Sequence, residues 1–372
     1  MLQTIVKLRY DAQTNLMRRA ILILTVAVSS SLVVLHAADD LVLARFGEYL
    51  DALRTQAGIP TLAAAIVGPG EVQWERAFGR QNVERAIDAR PDTPFHLDAL
   101  TQVFTASIIL RCVEEGRVSL DARIGSYSAE APEPNATVRQ LLTHTTGSAG
   151  GLAFAYRPER LAGLAFAASA CSGNSPIAAV SYRSILAARL DSLGMQLDSV
   201  PGPDVMQLAP QPFPAATLDR YRGALARLAT PYAVDAQGRA SPSRYVSPTL
   251  TPAAGLISSV QDLEKFDLAL KRGVLLRPET IAAAWTPPLG AQGRVLPHGL
   301  GWFVQSYAGE PVVWQFGVGD NASSSLIVTL PRRGLTLILL ANSDGLSKPF
   351  ALAAGDLSVS TFGRLFLGIF VR

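Results

Sequence analysis

The stretch FHLDALTQVFTASIILRCVEEG, residues 95–116, constrains this chain more than any other. A polar entry leads into an apolar run, Phe104 to Leu110, whose pattern predicts a helix continuing to Glu115 and stopping at Gly116. A helix that is apolar on nearly every side must be buried, so this one is expected to run through the middle of the fold. Whatever the rest of the chain forms has to wrap it.

The remaining segments say how. Residues 39–57 carry Leu41, Leu43, Phe46, Leu50 and Leu53 at helical spacing, ended by Gly58 and Pro60. LAAAIVG and EVQWERAFG then read as strands joined at Pro69-Gly70, a hairpin. TVRQLLTHTTG begins a short helix at Thr137. The pattern from 152 to 245 is helical but interrupted, and residues 198–250, rich in Pro, Gly and Ser, are expected to lie as surface loops. AAGLISSVQDLEKFDLAL is an amphipathic helix, followed by GVLLRPETIAAAW. Three more strand-like runs close the chain: YAGEPVVWQFG, ASSSLIVTLP and GLTLILLANS, with turns at Gly309 and Arg333-Gly334. TFGRLFLGIFVR at the end reads as a docking helix or strand. Five strands drawn from both ends and joined by short links predict an antiparallel five-stranded sheet. The expected class is α/β of the α+β kind, with helices flanking the sheet. A sheet lobe would comprise residues 39–95 and 250–372, and an inserted all-helical lobe residues 96–249.

A hydrophobic content of 49% with 17% charged residues suits a globular chain. Lys7, Arg9, Arg18 and Arg19 against Asp11 account for the whole net charge of +3. The rest is neutral, which gives no electrostatic case for nucleic acid. Arg18-Arg19, the apolar run Ala20 to Leu35 and the small residues Ala37-Ala38 have the three-part form of a signal peptide over residues 1–38, with Met17 as an alternative start. The expected location is therefore outside the cytoplasm, periplasmic or extracellular. The alternative is an N-terminal membrane anchor; a cleaved signal would leave no membrane span. Cys112 and Cys171 are the only cysteines and read as free buried thiols, although export permits a disulfide. Asn135-Ala-Thr137 and Asn321-Ala-Ser323 match the glycosylation acceptor pattern.

PDTPFHLDALTQVFTASIILRCVEEGRVSLD resembles the helix that carries Ser-x-x-Lys in the penicillin-recognising serine hydrolases: class C β-lactamases, D-alanyl-D-alanine carboxypeptidases and related esterases. The resemblance covers nearly all of residues 40–350. It implies the β-lactamase/transpeptidase-like fold, with a cleft between a sheet lobe and a helical lobe. It also implies three catalytic motifs. In the first, Phe95, Phe104, Thr105, Ala106 and VEEGRVSLD fix the register, so the serine position holds Ala99 and the lysine position Gln102. In the second, Tyr-x-Asn, the Tyr position falls on Tyr156 and the Asn position on Pro158. Ser172-Gly173 supports this register over a competing one on Ala168-Ser169-Ala170. In the third, the Lys or His of the strand motif falls on Gln315, followed by Phe316 and Gly317. Backbone N–H groups of Ala99 and Val318 would be the oxyanion donors, and Pro158, Phe316 and Gly317 would face substrate.

An acyl transfer needs a nucleophile, a base and an oxyanion site. Alanine offers no nucleophile and a neutral amide accepts no proton. Thr101 lies about 200° round the helix from residue 99, Ser107 sits two turns deeper, and Asp98 is adjacent. None of the three reads as a substitute. His144 reads as structural, and His36, His96 and His298 as scattered, which gives no metal signature. Nor does the sequence imply a cofactor. The expectation is a non-catalytic binding homologue that holds a small molecule or peptide in its cleft. The alternatives are an active esterase or peptidase with a rearranged site, and a decaying gene. The oligomeric state is left open.

Overall fold

The structure, a computed structural model, describes residues 40–147, 150, 152–172 and 178–371. The expected signal segment and Gly173 lie outside the described residues. The chain divides into two compact units, residues 1–49 and 50–372. Of the first, residues 40–49 are described, and they are helical. Their helix, α1 (residues 40–56), ends within the second unit at the turn where Gly58 takes a φ of +67°.

Among the described residues eleven strands follow: β1 Thr61–Val67, β2 Val72–Asn82, β3 Ile87–Asp88, β4 Phe95–His96, β5 Tyr232–Val234, β6 Ala240–Pro242, β7 Ile257–Ser258, β8 Phe303–Tyr307, β9 Glu310–Gly319, β10 Ser323–Leu330 and β11 Leu335–Ala341. The main sheet has the order β3-β2-β1-β11-β10-β9-β8, and every neighbouring pair is antiparallel. It therefore has seven strands, not five. The early hairpin and the last three strands meet where β1 pairs with β11, Ala63 opposite Leu340 and Ala65 opposite Ile338. β1, β10 and β11 are buried at every residue, which is why each reads as a continuous apolar or small run instead of alternating.

The two extra strands have separate causes. FVQSY pairs with β9 across a two-residue turn in which Ala308 and Gly309 both have positive φ, the backbone a tight hairpin requires. The turn at Gly309 is legible; the strand before it is short enough to pass for loop. β3 is two residues at the sheet edge.

Helices α2 (Thr101–Glu114), α3 (Val138–Leu142), α4 (Leu164–Ser172), α5 (Ala178–Ser192) and α6 (Ala215–Ala226) lie between the two sets of strands. α7 (Val260–Lys271) packs on β1 and β11, and α8 (Pro278–Ala284) and α9 (Thr361–Phe370) complete the set. Of the 14 residues of α2, 11 are buried, so it has no wet face and serves as the axis of the fold. Its polar residues are bonded inside: Thr105 Oγ1 lies 2.6 Å from Tyr182 Oη and donates to the Pro252 carbonyl at 2.7 Å, and Ser107 donates to the Val103 carbonyl. Thr137 caps α3 with Gln140 in a reciprocal capping box.

Two further expectations need correction. α6 forms inside the stretch expected to be loops, because Tyr221 and Ala224 fall on one face and pack against Val200, Val205 and Ile257. Cys112 and Cys171 are not free thiols but a disulfide, with Cα atoms 5.9 Å apart across a separation of 59 residues. It ties the C-terminal turn of α2 to the end of α4, two elements distant in sequence.

Candidate functional site

The site begins where the backbone entering α2 presses against β9. The 3-10 turn Asp98–Leu100 leads directly into the helix. A Cβ at Gly317 would lie 2.1 Å from the Leu97 carbonyl oxygen and 3.0 Å from the Ala99 nitrogen, so only glycine allows this approach. Ser325 on β10 donates to the same Leu97 carbonyl at 2.7 Å and pins the turn from behind. Ala99 is half-buried, its nitrogen held beside β9. Val318, also half-buried, sits opposite Ser324 in the β9–β10 ladder.

Gln102, one turn into α2, is fully buried and occupies the middle of a directed hydrogen-bond chain. The Arg157 backbone N–H donates to His144 Nδ1 at 3.2 Å, which places the imidazole proton on Nε2. His144 Nε2 then donates to Gln102 Oε1 at 2.8 Å. Gln102 Nε2 donates to the Tyr156 hydroxyl at 2.8 Å, and that hydroxyl donates to Gln315 Oε1 at 3.3 Å. Gln315 Oε1 also accepts from the Phe316 N–H at 2.9 Å. Its amide nitrogen faces the Gly301 carbonyl at 3.3 Å and His298 Nε2 at 3.4 Å. His298 Nδ1 donates to the Gly299 carbonyl at 2.8 Å. Both glutamines and both imidazoles are thus oriented by their partners, and the Tyr156 hydroxyl joins the two amides.

Electrostatics hold this chain neutral. Burial lowers the pKa of His298 to about 4 and that of His144 well below its ordinary value, with the neighbouring His298 adding to the shift. Burial raises the Tyr156 phenol above its usual value, more than the Gln102 hydrogen bond lowers it. At pH 7 none of these groups carries charge. Tyr156 cannot accept a hydroxyl proton, and His144 has its free nitrogen engaged by a backbone N–H. Around them stand aromatic faces. Tyr156 stacks on Phe316 at 5.4 Å and lies 5.2 Å from Phe303, and Phe303 stacks on Trp314 at 4.4 Å.

Three of the residues singled out by motif, Gln102, Tyr156 and Gln315, therefore meet directly, with Phe316 and Gly317 beside them. The Tyr156 register is the one that reaches Gln102; Ala168 of the competing register is buried in the core against α2. Pro158 opens the 3-10 helix Pro158–Gly163. The three neighbours weighed as substitute nucleophiles are engaged elsewhere. Thr101 Oγ1 accepts from the Leu256 N–H at 3.2 Å, Ser107 is bonded within α2, and Asp98 accepts from Ser323 Oγ at 2.6 Å.

The sequence reading missed His298 and undervalued His144. His144 lies in the LLTHTTG segment and takes a φ of +53°, a conformation uncommon outside glycine. His298 sits 154 positions along the chain, yet the two rings meet edge to face at 4.7 Å. No local spacing could have paired them.

Comparison with known proteins bears on the family and the fold. The family described as Beta-lactamase matches residues 46–175 and 207–358. Esterase EstB of Burkholderia gladioli is 37% identical over 93 residues, 23% of this chain and 24% of the esterase. Protein flp of Staphylococcus aureus (strain MW2) is 23% identical over 308 residues, 76% of this chain and 60% of flp. The matches thus span less than two thirds of either relative. Among solved structures, the octameric penicillin-binding protein homologue from Pyrococcus abyssi superposes with a TM-score of 0.67 at 21% identity, covering 87% of this chain and 77% of that one. A class C beta lactamase from Rhodobacter sphaeroides gives 0.61 at 17% identity, covering 87% and 96%. At these identities the superpositions speak for the fold.

Proposed function

The chain belongs to the Beta-lactamase family, and from that premise we propose that it is a binding homologue in which acyl transfer has been given up. On this reading Ala99 stands at the nucleophile position, Gln102 at that of the base and Gln315 at that of the strand cation. One observation carries the proposal. Gln102, Tyr156 and Gln315 satisfy one another and the two buried histidines through neutral hydrogen bonds, leaving no group poised to accept a proton.

Acyl transfer begins with loss of a proton from the attacking hydroxyl. In this cleft a hydroxyl at position 99 would find a glutamine amide and a protonated phenol. The ligand suited to the remaining surface is a neutral small molecule or peptide. It would stack on Phe316 and Tyr156 and take its hydrogen bonds from backbone N–H groups near Ala99 and Val318. A charged carboxylate would find no cation among Gln102, Tyr156 and Gln315. We further propose that the protein acts after export, which mass spectrometry of a mature N-terminus at or near Asp39 would test.

The decisive experiment is covalent labelling. The purified protein is expected to take no label from a fluorophosphonate or a fluorescent penicillin, since loss of the nucleophile in a serine hydrolase costs on the order of 10⁶ in turnover. Stoichiometric labelling at any residue would overturn the proposal and restore an active hydrolase with a rearranged site.

A further inference from the structure

β2 is the last long strand on its side of the sheet. β1 pairs with it from Val72 to Gly79, whereas β3 meets its outer side only at Arg80 and Asn82. Over Val72–Phe78 that side has no strand beside it among the described residues. An open edge of this kind is a template for another strand unless it is covered or blunted. Here it borders a groove of about 520 Å³ between β2 and α7, lined by Trp74, Glu75, Gln261, Glu264, Lys265 and Leu268, among others.

The groove holds two carboxyl groups, and Lys265, the one cation among the described residues that line it, is engaged elsewhere. Glu264 on α7 is only 6% exposed, and its Oε1 is sealed from solvent without a hydrogen-bond partner. Glu75 on β2 is exposed and close enough to hydrogen-bond the Glu264 carboxyl. Gln261 donates to both Glu75 oxygens at 3.2 Å. The neighbouring cation, Lys265, is committed to Asp262 Oδ1 at 2.7 Å and the Gly194 carbonyl at 2.9 Å. With both groups ionised, an orphaned buried oxygen beside a second carboxylate is costly, and either a shared proton or an arriving cationic donor relieves it. Charge complementarity therefore selects a cationic donor, and the open edge selects the backbone that carries it.

We propose that the β2 edge and the Glu75–Glu264 pair form one docking site. Its occupant is an extended peptide segment that adds to the sheet and lays a lysine or arginine against the exposed side of the two carboxylates. Strand addition supplies main-chain hydrogen bonds, and the carboxyl pair supplies selectivity for a basic side chain. Two carboxylates and one amide are too few for a calcium site, which takes about six to eight oxygens.

The site has a proton signature. Burial, with the charge of Glu75 added, raises Glu264 to about 8, and Lys265 on the same helix partly offsets this. At pH 7 the pair thus holds a proton that an incoming cation expels. Binding must strengthen as pH rises through 8 and must release protons at pH 7.

Titration calorimetry of the whole protein tests this, with an acetylated, amidated heptapeptide of alternating arginine and valine as the probe. At pH 7, in two buffers of different ionisation enthalpy, the expected release is about 0.9 proton per peptide, with affinity about tenfold higher at pH 9. Glu264→Gln should abolish the proton release. Glu75→Gln, at an exposed position with little folding risk, should weaken binding about tenfold. Arginine amide alone, unable to add a strand, should bind at least tenfold more weakly than the peptide. Equal binding by arginine amide would overturn strand addition. Absence of binding, or binding without proton release, would overturn the site.

Discussion

Two polar clusters flank Ala99, and they are built on opposite terms. On one side, Gln102, Tyr156, Gln315, His144 and His298 form a buried chain in which each donor has an acceptor and no group is charged. On the other lie His96 and Asp98. His96 is 1% exposed, stacks on Tyr245 at 3.8 Å, and has no hydrogen bond at either ring nitrogen. Asp98 takes a φ of +49°, and burial raises its carboxyl to about 7. The comparison teaches where this molecule keeps its tension. The motif residues are settled in neutral hydrogen bonds, while the turn that leads to Ala99 is held in an unfavourable backbone conformation around a buried acid.

The largest effect should come from upsetting the settled side. Ala99→Ser alone should leave activated-ester hydrolysis within about tenfold of the parent, because the new hydroxyl has no base. Ala99→Ser with Gln102→Lys places a nucleophile and a base one helical turn apart, and burial at position 102 favours the neutral amine that can accept a proton. This double mutant should exceed the single by about 10²–10⁴-fold, the range a positioned base contributes. Adding Gln315→His should raise the rate again, non-additively. If folded double and triple mutants stay as inert as the parent, position 99 does not present its side chain to the cleft, and the motif register is wrong.

The strained side gives a smaller effect with a pH signature. Asp98 has a folded pKa raised above its unfolded value of 3.8, so the folded state holds its proton longer. The stability it contributes is full below about pH 4 and is lost as pH rises towards 7, with no further change above. A rise from 3.8 to about 7 sets an upper bound of about 4 kcal/mol on that loss. Asp98→Asn keeps an acceptor for Ser323, tolerates positive φ better than most residues, and cannot ionise. Denaturant unfolding should find the variant equal to the parent near pH 4 and more stable at pH 8. A difference that does not change between those two values would mean that Asp98 is not held protonated by the fold.

How much of this was legible follows from the range over which each feature is determined. The buried helix, the β1–β2 hairpin, the capping box at Thr137 and the C-terminal strands are local, and their residues alone predict them. The motif resemblance singled out Gln102, Tyr156 and Gln315, which hydrogen bonds join, because it encodes long-range contacts that no local pattern contains. What escaped was set by tertiary context: the Cys112–Cys171 disulfide, α6 within a proline-rich stretch, β8 as a short edge strand, and the meeting of His144 with His298. That residues 102, 156 and 315 are two amides and a phenol is plain from the sequence. That neutral amides close a complete hydrogen-bond chain there depends on side-chain orientation and had to be seen.

The smallest predicted effect tests whether that chain is one unit. Tyr156→Phe removes the hydroxyl that joins the two amides. Gln315 Oε1 keeps the Phe316 N–H, but Gln102 Nε2 loses its 2.8 Å bond to the phenol, at a position with no solvent exposure. An unsatisfied buried donor costs about 1–3 kcal/mol. Tyr156 is only half-buried, so water can recover part of this, and about 1–2 kcal/mol is expected. Gln102→Leu strands His144 Nε2 instead and should cost a similar amount. In the double mutant the amide that lacked a partner is gone, so the two losses should not add. Denaturant unfolding of the four proteins should yield a coupling energy of at least about 0.5 kcal/mol, beyond the scatter expected for independent sites. Strict additivity would mean that the amides and the phenol are neighbours without being a network. The contrast between a settled cleft and a strained turn would then lose its first half.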